Sequence, residues 1–170
     1  MITELTISTG NRTELIDITA PIRDVVRESE VQSGVCVLFC PHTTAGLTLN
    51  ENWDPAVRDD AIRTLDALVP ASPLYRHAEG NSPAHIKAML LGFSASIPIE
   101  AGDLVLGTWQ GVFLGEFDGP RRRRVVVTIL TEAPPVAPPE PPRRRRRQRV
   151  SVTLVSPRGR SGSSPRAAAR

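Results

Sequence analysis

All three histidines of the chain stand among polar residues. His42 directly follows an apolar run, in Pro41-His42-Thr43-Thr44, while His77 and His85 bracket His77-Ala-Glu-Gly-Asn-Ser-Pro-Ala-His85. Neutral imidazoles are common ligands for zinc and similar ions, so three of them from a strand end and a helix start could form an open metal site. Their spacing matches no recognised ligand motif, and histidines that only hydrogen-bond their neighbours are the commoner outcome. Carboxylates flank them: Glu51 after Asn50, Glu79 between two histidines, and Glu116 and Asp118 after the Trp109-Gln110 segment. Near imidazoles such groups can serve as oxygen ligands, orienting partners or general bases. Anions have two candidate seats. One is the helix start at Asn81-Ser82, with its free backbone donors. The other is Arg121 to Arg124, where alternation along a strand sends neighbouring arginines to opposite faces, so that one pair could reach a phosphate while the other meets solvent.

Elements to hold these residues can be read from the apolar pattern. Ile2 to Ser8 and Glu14 to Ile18 alternate as half-buried strands do. Thr19 caps a helix with Pro21 in its first turn and Ile22, Val25 and Val26 at helical spacing, ending before Gly34. Val35 to Phe39 is a continuous apolar run suited to a central strand, with Cys36 and Cys40 as buried thiols. Leu47 to Leu49 reads as a short strand, and Asp54-Pro55 opens a helix carrying Val57, Ile62 and Leu65. Asn81 or Ser82 caps a third helix with Pro83 at its first position, Gly92 at its end, and Ile86, Met89 and Leu90 as its buried stripe. Ser94 to Ile99, Leu104 to Trp109 with Val112 to Leu114, and Arg124 to Leu130 close the domain as strands. Strands with unevenly spaced helices imply an α+β fold. The glycine-rich phosphate loops GxxxxGK and GxGxxG are absent from the sequence, which argues against those nucleotide folds.

Charge divides the 170 residues in two. Residues 1–130 hold 16 acidic and 11 basic side chains, a net −5, whereas residues 131–170 hold 10 arginines and two glutamates, a net +8. The basic segment starts Pro-rich and continues through Arg143 to Arg147. Proline cannot join a sheet interior and the arginines repel one another, so the reading is a folded domain at 1–132 and a mostly disordered tail at 133–170. Arg149 to Val155 alternates weakly enough to leave one further strand open. No run reaches the roughly 18 apolar residues of a membrane span, and no basic start leads into an apolar leader. Two cysteines are too few for a disulfide scaffold, and the expected location is the cytoplasm.

Three segments carry a family resemblance: Pro41-His-Thr-Thr-Ala-Gly-Leu-Thr-Leu-Asn-Glu-Asn-Trp-Asp-Pro55, Ser82-Pro-Ala-His-Ile-Lys87 and Gly107-Thr-Trp-Gln-Gly-Val-Phe-Leu-Gly-Glu116. Over residues 1–130 the chain resembles the YjbQ family, described as secondary thiamine-phosphate synthase. The resemblance implies a seven-stranded, two-sheet β-sandwich with about three helices, assembled as a homotrimer. It also implies the joining of hydroxymethylpyrimidine diphosphate to thiazole phosphate with release of pyrophosphate, as a weak or side activity. Placed on this chain, His42, Thr43, Asn50, Glu51, Glu79 and Glu116 become the catalytic candidates. Ser82, Trp109, Gln110, Arg121 and Arg123 become the substrate-binding ones, with Trp109 stacked on the pyrimidine. His42, His77 and His85 are the candidate ligands of a divalent ion, zinc or magnesium. Two alternatives stay open: a metal-dependent hydrolase built on the same histidines, and a non-enzymatic binding module whose basic tail touches nucleic acid.

Overall fold

The computed structural model describes residues 1–131. The tail expected from 133 onward, with the further strand left open at 149–155, lies outside the described residues. Eight strands form two antiparallel sheets with three helices. They are β1 (Ile2–Ser8), β2 (Glu14–Asp17), α1 (Thr19–Glu28), β3 (Ser33–Phe39), β4 (Ala45–Glu51), α2 (Pro55–Leu68), α3 (Ser82–Leu91), β5 (Ser94–Glu100), β6 (Asp103–Leu104), β7 (Gln110–Glu116) and β8 (Arg122–Leu130). The larger sheet runs β1-β8-β3-β5-β6 and the smaller β2-β7-β4. The count of eight, where seven is implied by resemblance, includes the two-residue β6.

The core lies between the sheets and α1. From the large sheet come Cys36, Leu38, Ile97, Ile99, Val125, Val127 and Ile129; from the small one Leu47, Val112 and Leu114; from α1 Ile22, Val25 and Val26. Both cysteines are buried free thiols, and burial pushes Cys36 up to about 11. The apolar run at β3 sits between β5 and β8, as a central strand should.

Three expectations need correction. Thr19 is the first helical residue of α1 and does not cap it; Asp17 Oδ1 accepts from both Thr19 N and Thr19 Oγ1. Leu104 to Trp109 is not one strand: pairing with β5 ends at Leu104, and Gln110 N donates to Gly107 O to close a turn into β7. In α3, Met89 and Leu90 are exposed, while the buried residues are Ala84, Lys87 and Ala88. The cause is close packing on β4 and β7. A Cβ at Gly46 would lie 2.7 Å from Gly92 O and 3.2 Å from Ala88 O, and one at Gly115 would lie 2.6 Å from Leu91 Cδ2. Only the small side of α3 can approach that surface, so its larger apolar residues turn outward. Trp53 and Trp109, 75% and 54% exposed, meet edge to face at the far end of the small sheet. Among the described residues no helix is long and apolar enough to cross a membrane.

Candidate functional site

The end of the sandwich where β3 leaves for β4 collects most of the chemistry. Arg123 points inward from β8 and Glu116 inward from β7, and both are buried. Arg123 Nε donates to Glu116 Oε2 at 2.6 Å and its Nη2 to Glu116 Oε1 at 2.5 Å. Arg123 Nη2 also reaches Thr44 Oγ1 at 2.9 Å. Glu116 further accepts from Thr9 Oγ1 and from the backbone N–H groups of Phe117 and Asp118. Burial alone would raise its pKa, but the hydrogen bonds from Arg123 and Asp118 N–H and the Arg123 charge outweigh it, so the carboxyl ends below the usual range. Both oxygens are fully engaged. Glu116, expected as a catalytic group, is the inner half of a buried ion pair.

Above that pair lies a depression of about 190 Å³. Thr43 and Thr44 reach it from the β3–β4 loop, Glu79 and Asn81 from the loop before α3, and His85 from the first turn of α3. Asp118, Arg121 and Arg123 close it from the β7–β8 side. The expected pairing of Arg121 with Arg123 on one side of the chain is thus what the fold produces, while Arg122 and Arg124 face solvent. Arg121 holds Asp118 through Nη2 to Oδ2 at 2.6 Å. Burial works to raise the Asp118 pKa, yet hydrogen bonds from Asn81 and Arg121 pull it below the ordinary value.

Asn81 is the residue that sequence reasoning undervalued. It occupies the cap position of α3 but makes no side-chain cap bond, although an asparagine there ordinarily satisfies a free helical N–H worth about 1 kcal/mol. Its Nδ2 is instead turned to two carboxylates, Asp118 Oδ2 at 3.1 Å and Glu79 Oε2 at 3.4 Å. Its Oδ1 is buried and receives no hydrogen bond among the described residues. The only signal in the sequence was its place between Glu79 and the helix start.

The histidines divide. His77 and His85 meet edge to face with ring centroids 5.1 Å apart, because the turn closed by Gly80 N to His77 O, with Gly80 at φ +69°, folds the loop back on α3. With Ser82, Tyr75 and Ile86 they line a second, open depression of about 440 Å³, and His85 belongs to both depressions. His42 is committed elsewhere: its Nε2 accepts from Arg124 N at 2.8 Å, tying the β3–β4 loop to β8. Burial first, then the charges of Arg123 and Arg124, lower its pKa, and because Nε2 accepts from Arg124 N the neutral ring carries its proton on Nδ1. Among the described residues no three or more His, Cys, Asp or Glu side chains are placed to share a metal ion. The expected trio His42, His77 and His85 is therefore not assembled within one chain, since the nitrogen that would bind is used on β8.

A second group lies apart. β4 and β7 pair from Ala45 opposite Glu116 to Glu51 opposite Gln110, and six steps along an extended strand cover about 20 Å. Asn50, Glu51, Trp109 and Gln110 therefore stand at the opposite end of the small sheet from His42, Thr43 and Arg123. Asn50 Oδ1 accepts from Glu51 N, and Gln110 Oε1 accepts from Gly107 N, so both amides brace their own turns. The extended strands that carry the motifs hold their ends apart, and one pocket per chain does not contain them all.

A family model for UPF0047 YjbQ-like proteins matches residues 3–132, and the chain belongs to that family. A UPF0047 protein of Methanocaldococcus jannaschii is 51% identical over 122 residues, 72% of this chain and 88% of the relative. YugU of Bacillus subtilis is 47% identical over 122 residues, 71% of this chain and 92% of the relative. Among solved structures, an uncharacterized YjbQ/UPF0047 protein of Clostridium acetobutylicum superposes with a TM-score of 0.74 at 52% identity, covering 75% of this chain and 99% of its own. A Sulfolobus solfataricus protein of unknown function superposes with a TM-score of 0.74 at 34% identity, covering 78% and 97%. The α+β two-sheet architecture is shared with them, and their names carry no activity.

Proposed function

We propose that this protein is a transferase that joins hydroxymethylpyrimidine diphosphate to thiazole phosphate, as a weak or secondary thiamine-phosphate synthase activity in the cytoplasm. The observation that carries the reading is the convergence of Arg121 and Arg123 with the first turn of α3 and the Thr43 and Thr44 hydroxyls on one open depression. In this reaction the bond between the pyrimidine methylene carbon and the diphosphate oxygen breaks. The electron pair leaves with pyrophosphate, and the thiazole nitrogen bonds to the carbon. Fixed donors aimed at the departing oxygens stabilise the charge that develops there. Arg121, which pairs with Asp118 but keeps its guanidinium half exposed, and the helix start would do that work, since Arg123 is buried against Glu116. The expected histidine ligand set does not fit a metal ion in one chain, so no step is routed through it. The hydrolase alternative needs that same set and loses support with it. The location is consistent with two free thiols.

Trp109, Glu51 and Asn50 enter the reaction only if a second copy brings its small-sheet end to the arginine end of the first. We read the assembly as the homotrimer expected from resemblance. Support comes from surfaces one chain leaves uncovered. Val35, Phe39 and Leu130 are exposed on the outer face of the large sheet, and α2 has no fully buried residue. The test is thiamine phosphate formation by purified full-length protein, followed as a fluorescent oxidised product. Wild type is expected above the enzyme-free background, with Arg121→Ala and His85→Ala each at least about tenfold slower, the loss of one charge-stabilising donor. Product at background for wild type, or equal rates in all three proteins, overturns the reading.

A further inference from the structure

We propose that Tyr75, His77, His85 and Ile86 form the seat for one flat aromatic ring, carried by a ligand whose phosphate group lies in the adjoining depression of Arg121. His77 and His85 meet edge to face with their planes 69° apart. Two rings so arranged make a corner, in which a third can stack on one and meet the edge of the other, the two contacts that aromatic rings prefer. Tyr75 and Ile86 extend that corner into the depression of about 440 Å³, a volume typical of small-molecule sites. The chain is only 4% phenylalanine, tryptophan and tyrosine, and its single tyrosine stands here. Packing of the loop against α3 would explain the histidine pair but not an open corner, in which His77 is exposed and Tyr75, His85 and Ile86 are half-buried.

What selects the occupant is the neighbouring depression. His85 also lines the smaller hollow with Thr43, Thr44 and Arg121. Arg121 spends Nε and Nη2 on Asp118, which leaves Nη1 for an anion. A ring joined to a phosphate by one methylene would straddle His85, with its apolar body in the larger hollow and its charge in the smaller. Ser82 and the imidazole nitrogens supply the few polar points that orient a heteroaromatic ring in an otherwise apolar lining. Trp109, expected to stack on the pyrimidine, stands at the opposite end of the small sheet, so within one chain the ring finds its aromatic partners here. The identity of the ring as a pyrimidine rests on the transferase proposed above; the seat and its link to the phosphate do not.

Because Tyr75 is the only tyrosine, full-length protein labelled with 3-fluorotyrosine gives a single fluorine resonance that reports on the seat. Benzyl phosphate, a ring on one methylene, is expected to shift it saturably, and methyl phosphate, which brings the anion without a ring, to leave it in place. By calorimetry benzyl phosphate is expected to bind at least about tenfold more tightly than methyl phosphate, the gain from burying one ring. His77→Ala, at an exposed position, is expected to lose most of that preference, and Arg121→Ala to weaken both ligands about tenfold. A resonance that ignores benzyl phosphate or answers both ligands equally, a preference kept in full by His77→Ala, or an Arg121→Ala protein that binds benzyl phosphate like wild type overturns the seat. Circular dichroism melts confirm that the variants are folded. A shifted tyrosine with no thiamine phosphate formed leaves the seat standing and sinks the transferase reading, and product formed with an unmoved tyrosine does the reverse.

Discussion

Glu116 and Arg123 concentrate the consequences of single residues. Removing one partner of a buried ion pair strands the other charge, at a cost of roughly 3–5 kcal/mol, whereas replacing both with apolar groups is often neutral or better. Glu116→Ala is therefore expected to lower the urea midpoint severely, and Glu116→Leu with Arg123→Met to regain most of it. Equal losses in the single and double variants would show that the charges are not what holds this end together. The depressed Glu116 pKa has a pH consequence of definite sign. The unfolded chain binds the proton more readily, so this stability is present above the ordinary carboxyl value of 4.5 and is lost as pH falls through the lower folded value. His42 acts in the same sense at higher pH. Its folded pKa lies below 6.5, so the unfolded state takes up its proton first as the solution is acidified. Protonation also removes the lone pair that accepts from Arg124 N. The urea midpoint of wild type is expected to decline as pH falls below 6.5, and His42→Gln, which keeps an acceptor but does not titrate, to decline less over that range. Parallel declines would assign the effect to other groups.

Among the elements, α3 shows what packing adds to pattern. Its limits were legible from Pro83 and Gly92, whose φ of +95° ends the helix, but its inward side was not. Ile86, Met89 and Leu90 carry the hydrophobic signal, while the tolerance of the surface beneath is set by Gly46 and Gly115, distant in sequence. Gly46→Ala is expected to destabilise by about 1–3 kcal/mol, since the new methyl meets backbone that cannot swing aside. A urea midpoint matching wild type would mean that α3 slides freely over β4. The β-strands were more readable because a period of two survives partial burial, as in β1, where the expected Ile2 to Ser8 is the observed strand. Leu104 to Trp109 misled for the converse reason: it is apolar enough for a strand, yet the residue of β5 that faces Val105 is Pro98, which accepts from Val105 N but has no N–H to return, and the ladder stops there. The arginine alternation after Pro120 placed Arg123 inward correctly, but nothing local revealed that Glu116 would neutralise it. The histidine convergence failed because residue type does not encode which ring nitrogen the backbone will claim, as Arg124 N claims that of His42.

For the molecule as a whole, the solved relatives separate the domain from its tail. The Clostridium acetobutylicum protein is matched over 99% of its length by 75% of this chain, so the shared fold stands without residues like 133–170. Deleting those residues is expected to leave the melting temperature unchanged, while any affinity for nucleic acid falls with them and with rising salt, as arginine–phosphate contacts do. Assembly poses the harder question, because β4 and β7 hold two groups of polar residues about 20 Å apart along the strands. If neighbouring subunits unite these groups, each site draws Glu51 from one chain and Arg121 from another. Glu51→Gln and Arg121→Ala proteins, each inactive alone, would then complement each other when unfolded, mixed in equal amounts and refolded together. Random assembly gives about a quarter of the interfaces both intact halves, and so about a quarter of wild-type activity. Sites confined to one chain would yield no recovery at any mixing ratio. Light scattering on the same samples reports whether three chains associate, so a failure of assembly is distinguished from a site that one subunit builds alone.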